Sequence, residues 1–254
     1  MAPVTDSAAS ASAAPYGDDL AHVHAAGFGG FARRVVPQVV ALLREAPSRP
    51  RVAVDLGCGA GVSTEALLAA GFDTIAVEPS RALLALARAA APGARFIEAS
   101  AYDCDLPPCA AILALGEPLT YHGPDTDADG LLRTLFARAA HALVPGGLLV
   151  FDLIVAGEPA LTNRGWAAGD DWAVLYETEE DLAARRLRRR MVTFREAAGR
   201  YRRGDETHHV RVFEQEAILA WLDAAGFDAA ASASYGAVPL LPRRMAFTAR
   251  RRPA

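Results

Sequence analysis

The sequence contains no lysine, so arginine supplies all 26 of its basic side chains. Thirty acidic side chains outnumber them, which gives a formal net charge of −4 and a pI near 5.9. A protein that binds nucleic acid without sequence preference normally carries a basic stripe. The charge balance therefore argues against a nucleic-acid partner. The arginine bias fits the codon usage of a GC-rich genome better than a dedicated anion-binding role.

Cysteine is also scarce, with only Cys58, Cys104 and Cys109 in 254 residues. Their odd number and their spacing argue against a disulfide framework or a zinc site, so reduced packing residues of a cytoplasmic protein are expected. No apolar run approaches the length of a membrane-spanning helix. Residues 1–16 are rich in alanine and serine and lack a basic start and an apolar middle. They predict a disordered tail rather than a secretory signal.

The rest of the chain alternates short apolar stretches with stretches of helical periodicity. Strands are expected at 51–56, 74–77, 94–98, 110–115, 148–153, 229–235 and 245–250. Helices are expected at 20–45 (with a break at the glycines of 27–30), 62–70, 80–91, 130–143 and 218–225. Buried strands separated by helices predict an α/β fold with a doubly wound, mostly parallel, seven-stranded sheet. Ligands of such sheets bind at the carboxyl ends of the strands.

A different pattern interrupts this alternation between residues 157 and 211. Polar and apolar residues alternate there as in extended strands, and a hairpin turn is expected at Ala198-Gly199. The extended stretches are 170–180, 185–196 and 201–213. We expect a small antiparallel insertion that covers the substrate site and excludes water, attached to a core of residues 17–156 and 212–254.

The strongest motif is the glycine loop, Asp55 to Gly61, which follows the first strand and precedes a helix. Glycine permits tight turns and close approach of the backbone to a ligand, and the helix N-terminus adds amide donors. The nicotinamide pattern would require glycine at position 62, where Val62 stands. Asp55 would repel a pyrophosphate but would attract a cationic ligand.

A second carboxylate, Glu78, ends the second strand in register with the glycine loop. It could accept hydrogen bonds from both hydroxyls of a ribose, or it could be a solvated charge at a strand end. With these two motifs and the segment 143–150, the run 52–152 resembles the class I S-adenosylmethionine (SAM)-dependent methyltransferase family. The resemblance implies a Rossmann-like methyltransferase fold, SAM as the cofactor and no metal.

The resemblance also implies a set of cofactor-binding residues. The glycine loop would line the methionine part of SAM, Glu78 would hold the ribose, and Ser100 would border the adenine. Many relatives carry aspartate where this chain has Ser100. The expected cofactor-binding residues are Asp55, Gly57, Cys58, Gly59, Gly61, Glu78, Pro79, Ser100, Ala101, Gly116 and Glu117.

Candidates for catalysis follow the fourth strand, where the family places the methyl acceptor. Tyr121 and His122 could orient the acceptor or accept its proton, although a packing tyrosine and a surface histidine are the alternatives. Candidates for substrate contact are His24, Trp166, His209 and Arg211. The segment after the fourth strand lacks the D/N-P-P-Y run of amino-methylating DNA enzymes.

Together these features predict a methyltransferase that transfers a methyl group to a nitrogen or oxygen atom of a small molecule. The alternative is a non-catalytic, SAM-binding regulatory protein on the same fold. The expected partner is a small-molecule acceptor, with no nucleic acid and no membrane. Neither the acceptor nor the oligomeric state, for which a homodimer is one option, follows from the sequence.

Overall fold

The computed structural model describes residues 15–44 and 49–253. Residues 1–14, which form most of the expected tail, lie outside the described residues. Tyr16 was assigned to that tail, and this assignment is wrong because its side chain and backbone are held in place by the hydrogen bonds described below. No helix in the described part of the chain is both long and apolar enough to span a membrane.

Thirteen strands are present in the described ranges. They are β1 (Val52–Leu56), β2 (Asp73–Val77), β3 (Arg95–Ile97), β4 (Cys109–Ala114), β5 (Leu143–Ile154), β6 (Asn163–Ala168), β7 (Trp172–Asp181), β8 (Arg186–Ala197), β9 (Arg200–Arg211), β10 (Phe227–Ser232), β11 (Ser234–Tyr235), β12 (Val238–Pro239) and β13 (Arg244–Arg251).

Six α-helices accompany these strands where the chain is described. They are α1 (Asp18–Val23), α2 (Gly30–Leu43), α3 (Val62–Ala69), α4 (Arg81–Ala90), α5 (Ala128–Ala142) and α6 (Gln215–Ala224). A π-helical turn, His24–Phe28, joins α1 to α2 at the expected glycine break. Ser80 and Asp127 cap α4 and α5 by accepting hydrogen bonds from the backbone N–H of Leu83 and Gly130.

The larger sheet has seven strands in the order β10-β13-β5-β4-β1-β2-β3. Its neighbours pair in parallel except at β13, which runs antiparallel to both β5 and β10. The predicted α/β class with a mostly parallel, seven-stranded sheet is therefore confirmed. The order of strands reverses between β1 and β4, and ligands of doubly wound sheets bind at such a point.

The core lies on both faces of this sheet. Helices α5 and α6 cover one face, where the ring of Phe151 packs against those of Phe136 and Phe247 with centroids 5.4 and 5.0 Å away. Helices α2 and α3 cover the other face. All six residues of β4 are buried, as expected for a central strand with helices on both sides.

The second sheet is antiparallel, with the order β6-β7-β8-β9. The expected hairpin turn is present, with left-handed φ values of 52° at Ala198 and 73° at Gly199. The sequence analysis missed β6, whose small residues around Trp166 show little alternation. Strand β5 begins five residues before the expected strand, at Leu143, so Gly146 and Gly147 lie inside it beside a shift in register with β4.

Candidate active site

A cavity of about 850 Å³ opens at the carboxyl ends of β1, β2 and β4, beneath the π-helical turn and α2. Its volume lies within the usual range of small-molecule sites. Eight of the eleven expected cofactor-binding residues line it, including Gly59, Glu78 and Gly116. The other three, Asp55, Gly61 and Glu117, do not line it. The N-terminal segment contributes Tyr16, His24 and Phe28 to its lining.

The three loop glycines hold left-handed backbone conformations, and each meets different surroundings. A Cβ atom at Gly57 would approach Pro118 Cβ to 2.2 Å, and one at Gly61 would approach Ala87 Cα to 2.9 Å. A Cβ atom at Gly59, where φ is 56°, would meet no atom within 4 Å. Gly57 and Gly61 are therefore required for packing, whereas Gly59 borders open space in the cavity.

The carboxylate of Glu78 is buried and braces the glycine loop. Its Oε2 accepts a hydrogen bond from Gly59 N–H at 3.0 Å, and its Oε1 accepts one from Ser80 N–H at 2.9 Å. Burial raises the pKa of Glu78, and the two backbone donors oppose that shift. Each oxygen retains a second lone pair that could accept a hydrogen bond from a ligand hydroxyl.

Asp55 lies beneath the loop with an exposed fraction of only 1%. Its Oδ2 accepts hydrogen bonds from the hydroxyls of Ser63 and Thr64, each at 2.7 Å. Its Oδ1 is buried and has no hydrogen-bond partner among the described residues. Burial raises the pKa of this carboxyl, and the two hydroxyls oppose the shift. A buried acceptor without a donor is costly, so a ligand or water that supplies one would relieve the cost.

The N-terminal segment is tied across the cavity through Tyr16. Its N–H and that of Gly17 donate to the carboxylate of Glu206 on β9, both at 2.9 Å. Its carbonyl accepts a hydrogen bond from Ser80 Oγ at 2.6 Å, and its hydroxyl lies 3.1 Å from that of Tyr121. The segment thereby joins the glycine-loop side of the cavity to the second sheet.

Two histidines flank this tyrosine pair. The ring of His24 lies 4.9 Å from that of Tyr16, and burial, aided by the positive charge of Arg189, lowers its pKa. The ring of His208 lies 5.0 Å from Tyr16 and 5.5 Å from Tyr121. His208 Nε2 lies 3.0 Å from the Glu206 carboxylate, while its buried Nδ1 has no partner within the described residues.

Tyr121 contacts a network of charged side chains formed by Arg189, Glu117 and Arg244. Arg189 on β8 lies 3.4 Å from the Tyr121 hydroxyl and 3.5 Å from the carboxylate of Glu117, which also pairs with Arg244 on β13. Burial alone would lower the pKa of Arg189, but the interactions with Glu117, Tyr121 and Tyr16 together outweigh it and the pKa is raised. Asp152 accepts hydrogen bonds from the backbone N–H of Gly116 and Glu117 and so fixes the loop after β4.

Several residues that the sequence suggested for catalysis or substrate contact lie outside the large cavity. His122 Nε2 lies 3.2 Å from the carbonyl of Leu119, and its ring faces a separate cavity of about 170 Å³ that His209 and Arg211 also line. Arg211 forms an ion pair with Asp129. Trp166 does not line the large cavity, and 75% of its surface is exposed. The catalytic candidate His122 and the substrate candidates Trp166, His209 and Arg211 do not line the large cavity, whereas Tyr121 and His24 do.

The residues that sequence reasoning missed are Tyr16, Arg189, Glu206 and His208. His208 carried a usable signal, because it alternates with the apolar Val210 and Val212 and so belongs to the buried face of β9. His209, which was chosen instead, is exposed. No group of three or more potential metal ligands occurs in the described ranges.

Asp152 gives the site a specific pH dependence. Burial raises its pKa to about 6, although the Gly116 N–H opposes the shift. A raised pKa stabilises the folded protein most below the unfolded value of about 4, and that contribution is lost as the pH rises through about 6. We expect wild type to lose a few kcal/mol of unfolding free energy relative to Asp152→Asn between these limits. Urea titrations of both proteins across this range test it, and parallel profiles would contradict it.

Comparison with known proteins identifies the family. Residues 53–147 match the family described as a methyltransferase domain. Trans-aconitate 2-methyltransferase of Acidovorax ebreus (strain TPSY) is 33% identical over 122 residues, which cover 47% of this chain but only 45% of that relative. The chain thus spans less than half the length of this relative. Trans-aconitate 2-methyltransferase of Methylobacterium radiotolerans is 31% identical over 204 residues, which cover 76% of this chain and 75% of the relative. The chain belongs to the class I SAM-dependent methyltransferases.

The fold of this methyltransferase agrees with that assignment. The sugar N-methyltransferase KedS8 from Streptoalloteichus sp ATCC 53650 superposes with a TM-score of 0.74 at 22% identity, over 100% of this chain and 99% of that one. SAM, the cofactor of the family, also suits the residues present. Its ribose hydroxyls match the free lone pairs of Glu78, and its cationic groups match the carboxylate of Asp55, whose Oδ1 lacks a donor.

Proposed function

We propose that this protein transfers a methyl group from SAM to a nitrogen or oxygen atom of a small molecule. One observation carries the proposal. A single cavity joins a glycine loop and a buried carboxylate at one end to the paired hydroxyls of Tyr16 and Tyr121 at the other. The first end suits the cofactor, and the second end suits a polar acceptor held against it.

Methyl transfer by in-line displacement needs mainly proximity and orientation. Bound SAM supplies an electrophilic methyl group. In this proposal Glu78 holds the ribose hydroxyls, the loop amides and Asp55 hold the methionine part, and the N-terminal segment around Tyr16 excludes water. The loop of Gly116, fixed by Asp152, forms the floor on which the acceptor lies.

A protonated acceptor atom must lose its proton during methyl transfer. We propose that His24 accepts this proton. Its lowered pKa keeps the imidazole neutral at pH 7, which a proton acceptor requires. The hydroxyls of Tyr16 and Tyr121 would orient the acceptor's lone pair. Arg189 would hold the Tyr121 hydroxyl in place, since it donates to that oxygen at 3.4 Å.

The relatives suggest two acceptor classes to test first. One curated relative is named for trans-aconitate, a polycarboxylic acid, and one structural neighbour is named a sugar N-methyltransferase. Methyl transfer from labelled SAM should therefore be measured with trans-aconitate, with amino sugars and with fractionated metabolite extract. SAM binding without transfer to any of these would favour a non-catalytic SAM-binding protein.

Tyr121→Phe is expected to reduce methyl transfer about 10- to 1000-fold, because it removes the hydroxyl that we propose to orient the acceptor. SAM affinity, measured by calorimetry, should change little. Tyr201→Phe is the matched control, since Tyr201 is 65% exposed on β9, and it should retain full transfer. Equal rates for the two variants would refute a role of the Tyr121 hydroxyl without affecting the assignment of the cofactor.

A further inference from the structure

Tyr16 holds an unusual backbone conformation at the acceptor end of the large cavity. Its φ is 67°, in the left-handed region that residues with a Cβ atom rarely adopt. Such a conformation persists only where the surrounding contacts hold it, and it is concentrated at functional sites. Tyr16 lines the cavity, and its hydroxyl lies 3.1 Å from that of Tyr121. The contacts that hold this backbone therefore decide where the Tyr16 hydroxyl lies.

Glu206 supplies those contacts from the side of the second sheet. One oxygen of its carboxylate accepts a hydrogen bond from Tyr16 N–H and the other accepts one from Gly17 N–H, both at 2.9 Å. Burial raises the pKa of Glu206, but the contacts with His208, Gly17 and Tyr16 outweigh it and the pKa is lowered. The group is therefore ionised at neutral pH, and hydrogen bonds to an ionised acceptor are stronger than those to a neutral one.

Strand β9 holds both tyrosines of the acceptor end. Glu206 binds the backbone of Tyr16 through its side chain, and further along the same strand Val210 pairs with Tyr121 in a β-bridge. Between them in the sequence, the ring of His208 packs 5.0 Å from the ring of Tyr16 and 5.5 Å from that of Tyr121. Because the rise of a strand is fixed, β9 sets how far apart the two tyrosines lie.

We infer that Glu206 is the positioning residue of the acceptor site. The inference rests on the proposed function, in which the hydroxyls of Tyr16 and Tyr121 orient the acceptor. Glu206 does not line the cavity, so it acts on the acceptor through the backbone of Tyr16. Without this carboxylate, Tyr16 should leave the left-handed conformation and its hydroxyl should move away from Tyr121. The cofactor end should change little, because Glu78 and Gly59 bind each other and do not contact Glu206.

Glu206→Gln should lower kcat for methyl transfer about 10- to 100-fold, because the acceptor would be poorly oriented. The substitution keeps the size of the side chain but places a donating NH2 group opposite a backbone N–H. Transfer is measured from labelled SAM to fractionated metabolite extract, and the dissociation constant of SAM should change less than about threefold. Glu196→Gln is the matched control, since Glu196 is exposed on β8 of the same sheet. Equal kcat values for the two variants would overturn the inference.

A double-mutant cycle separates positioning from a general structural role. Tyr16→Phe removes only the hydroxyl and leaves the backbone contact with Glu206 in place. If Glu206 acts through that hydroxyl, Glu206→Gln should lower kcat less than about threefold when Tyr16→Phe is already present. If the two fold changes multiply instead, Glu206 affects transfer by another route and the inference is wrong.

Hydrogen exchange tests the contact between Glu206 and the N-terminal segment without requiring methyl transfer. The amides of Tyr16 and Gly17 donate to Glu206, so their exchange should be at least about 10-fold faster in Glu206→Gln and unchanged in Glu196→Gln. Unchanged exchange in Glu206→Gln would overturn the inference whatever the activity. A wild type that transfers no methyl group would refute the proposed function instead, and the exchange rates would still decide whether Glu206 holds Tyr16.

Discussion

Gly59→Arg should abolish SAM binding while leaving the protein folded. The Cβ position of Gly59 meets no atom within 4 Å, so the backbone can carry a side chain without a clash. The space that the arginine would fill is the cavity between Glu78 and the N-terminal segment. We expect the dissociation constants of SAM and S-adenosylhomocysteine to rise at least about 100-fold, which corresponds to about 2.8 kcal/mol. Isothermal calorimetry measures both.

The control for this variant is Gly199→Arg. Gly199 also has a left-handed backbone conformation, with φ of 73°, and an open Cβ position, but it lies in the hairpin between β8 and β9. Both substitutions therefore add the same side chain and a similar backbone strain of about 1–2 kcal/mol. If Gly199→Arg weakens SAM binding as much as Gly59→Arg, strain rather than occupancy is responsible and the assigned cofactor site is refuted.

Glu117→Gln should be strongly destabilising, although it changes the shape of the side chain very little. The carboxylate is 3% exposed and pairs with both Arg189 and Arg244, whose side chains are 19% and 21% exposed. Removing the negative charge leaves two largely buried guanidinium groups without their anion. Breaking a buried pair in this way typically costs about 3–5 kcal/mol, and the partial exposure of the arginines places our expectation near about 3 kcal/mol. Urea denaturation provides the measurement.

Glu98→Gln is the matched substitution for comparison. Glu98 pairs with Arg81 on an exposed surface, where ion pairs contribute little because water screens them. Its denaturation midpoint should equal that of wild type within error. If the denaturation midpoint of Glu117→Gln also equalled that of wild type, the network of Glu117, Arg189 and Arg244 would not contribute to the stability of the folded protein.

The cofactor end of the cavity could be predicted from sequence because its determinants are local. The glycine loop and Glu78 each sit at the end of a strand whose apolar pattern is visible in the sequence. The doubly wound fold then brings both strand ends to one edge of the sheet. Chain connectivity alone therefore brings Asp55, Gly59 and Glu78 together.

The acceptor end could not be predicted in the same way. The hydrogen bond between Tyr16 and Glu206 joins residues 190 positions apart, and nothing local to Tyr16 indicates that partner. The choice between His208 and His209 depends on which face of β9 is buried, since neighbouring strand residues point in opposite directions. His122 was chosen because, like Tyr121, it follows the fourth strand, but its side chain lines the smaller cavity.

The entry and exit of the second sheet lie side by side. Val155, just after β5, bridges to Phe213, just before α6, so the chain leaves the core and returns to it at adjacent points. Because its two ends are adjacent, the segment between Val155 and Phe213 is attached to the core in the same way as a short loop. Lengthening such a loop costs little chain entropy. Recombination could therefore exchange this segment between proteins without disturbing the strand order of the core. A new acceptor preference would then arrive in a single genetic event, while the cofactor site stayed unchanged.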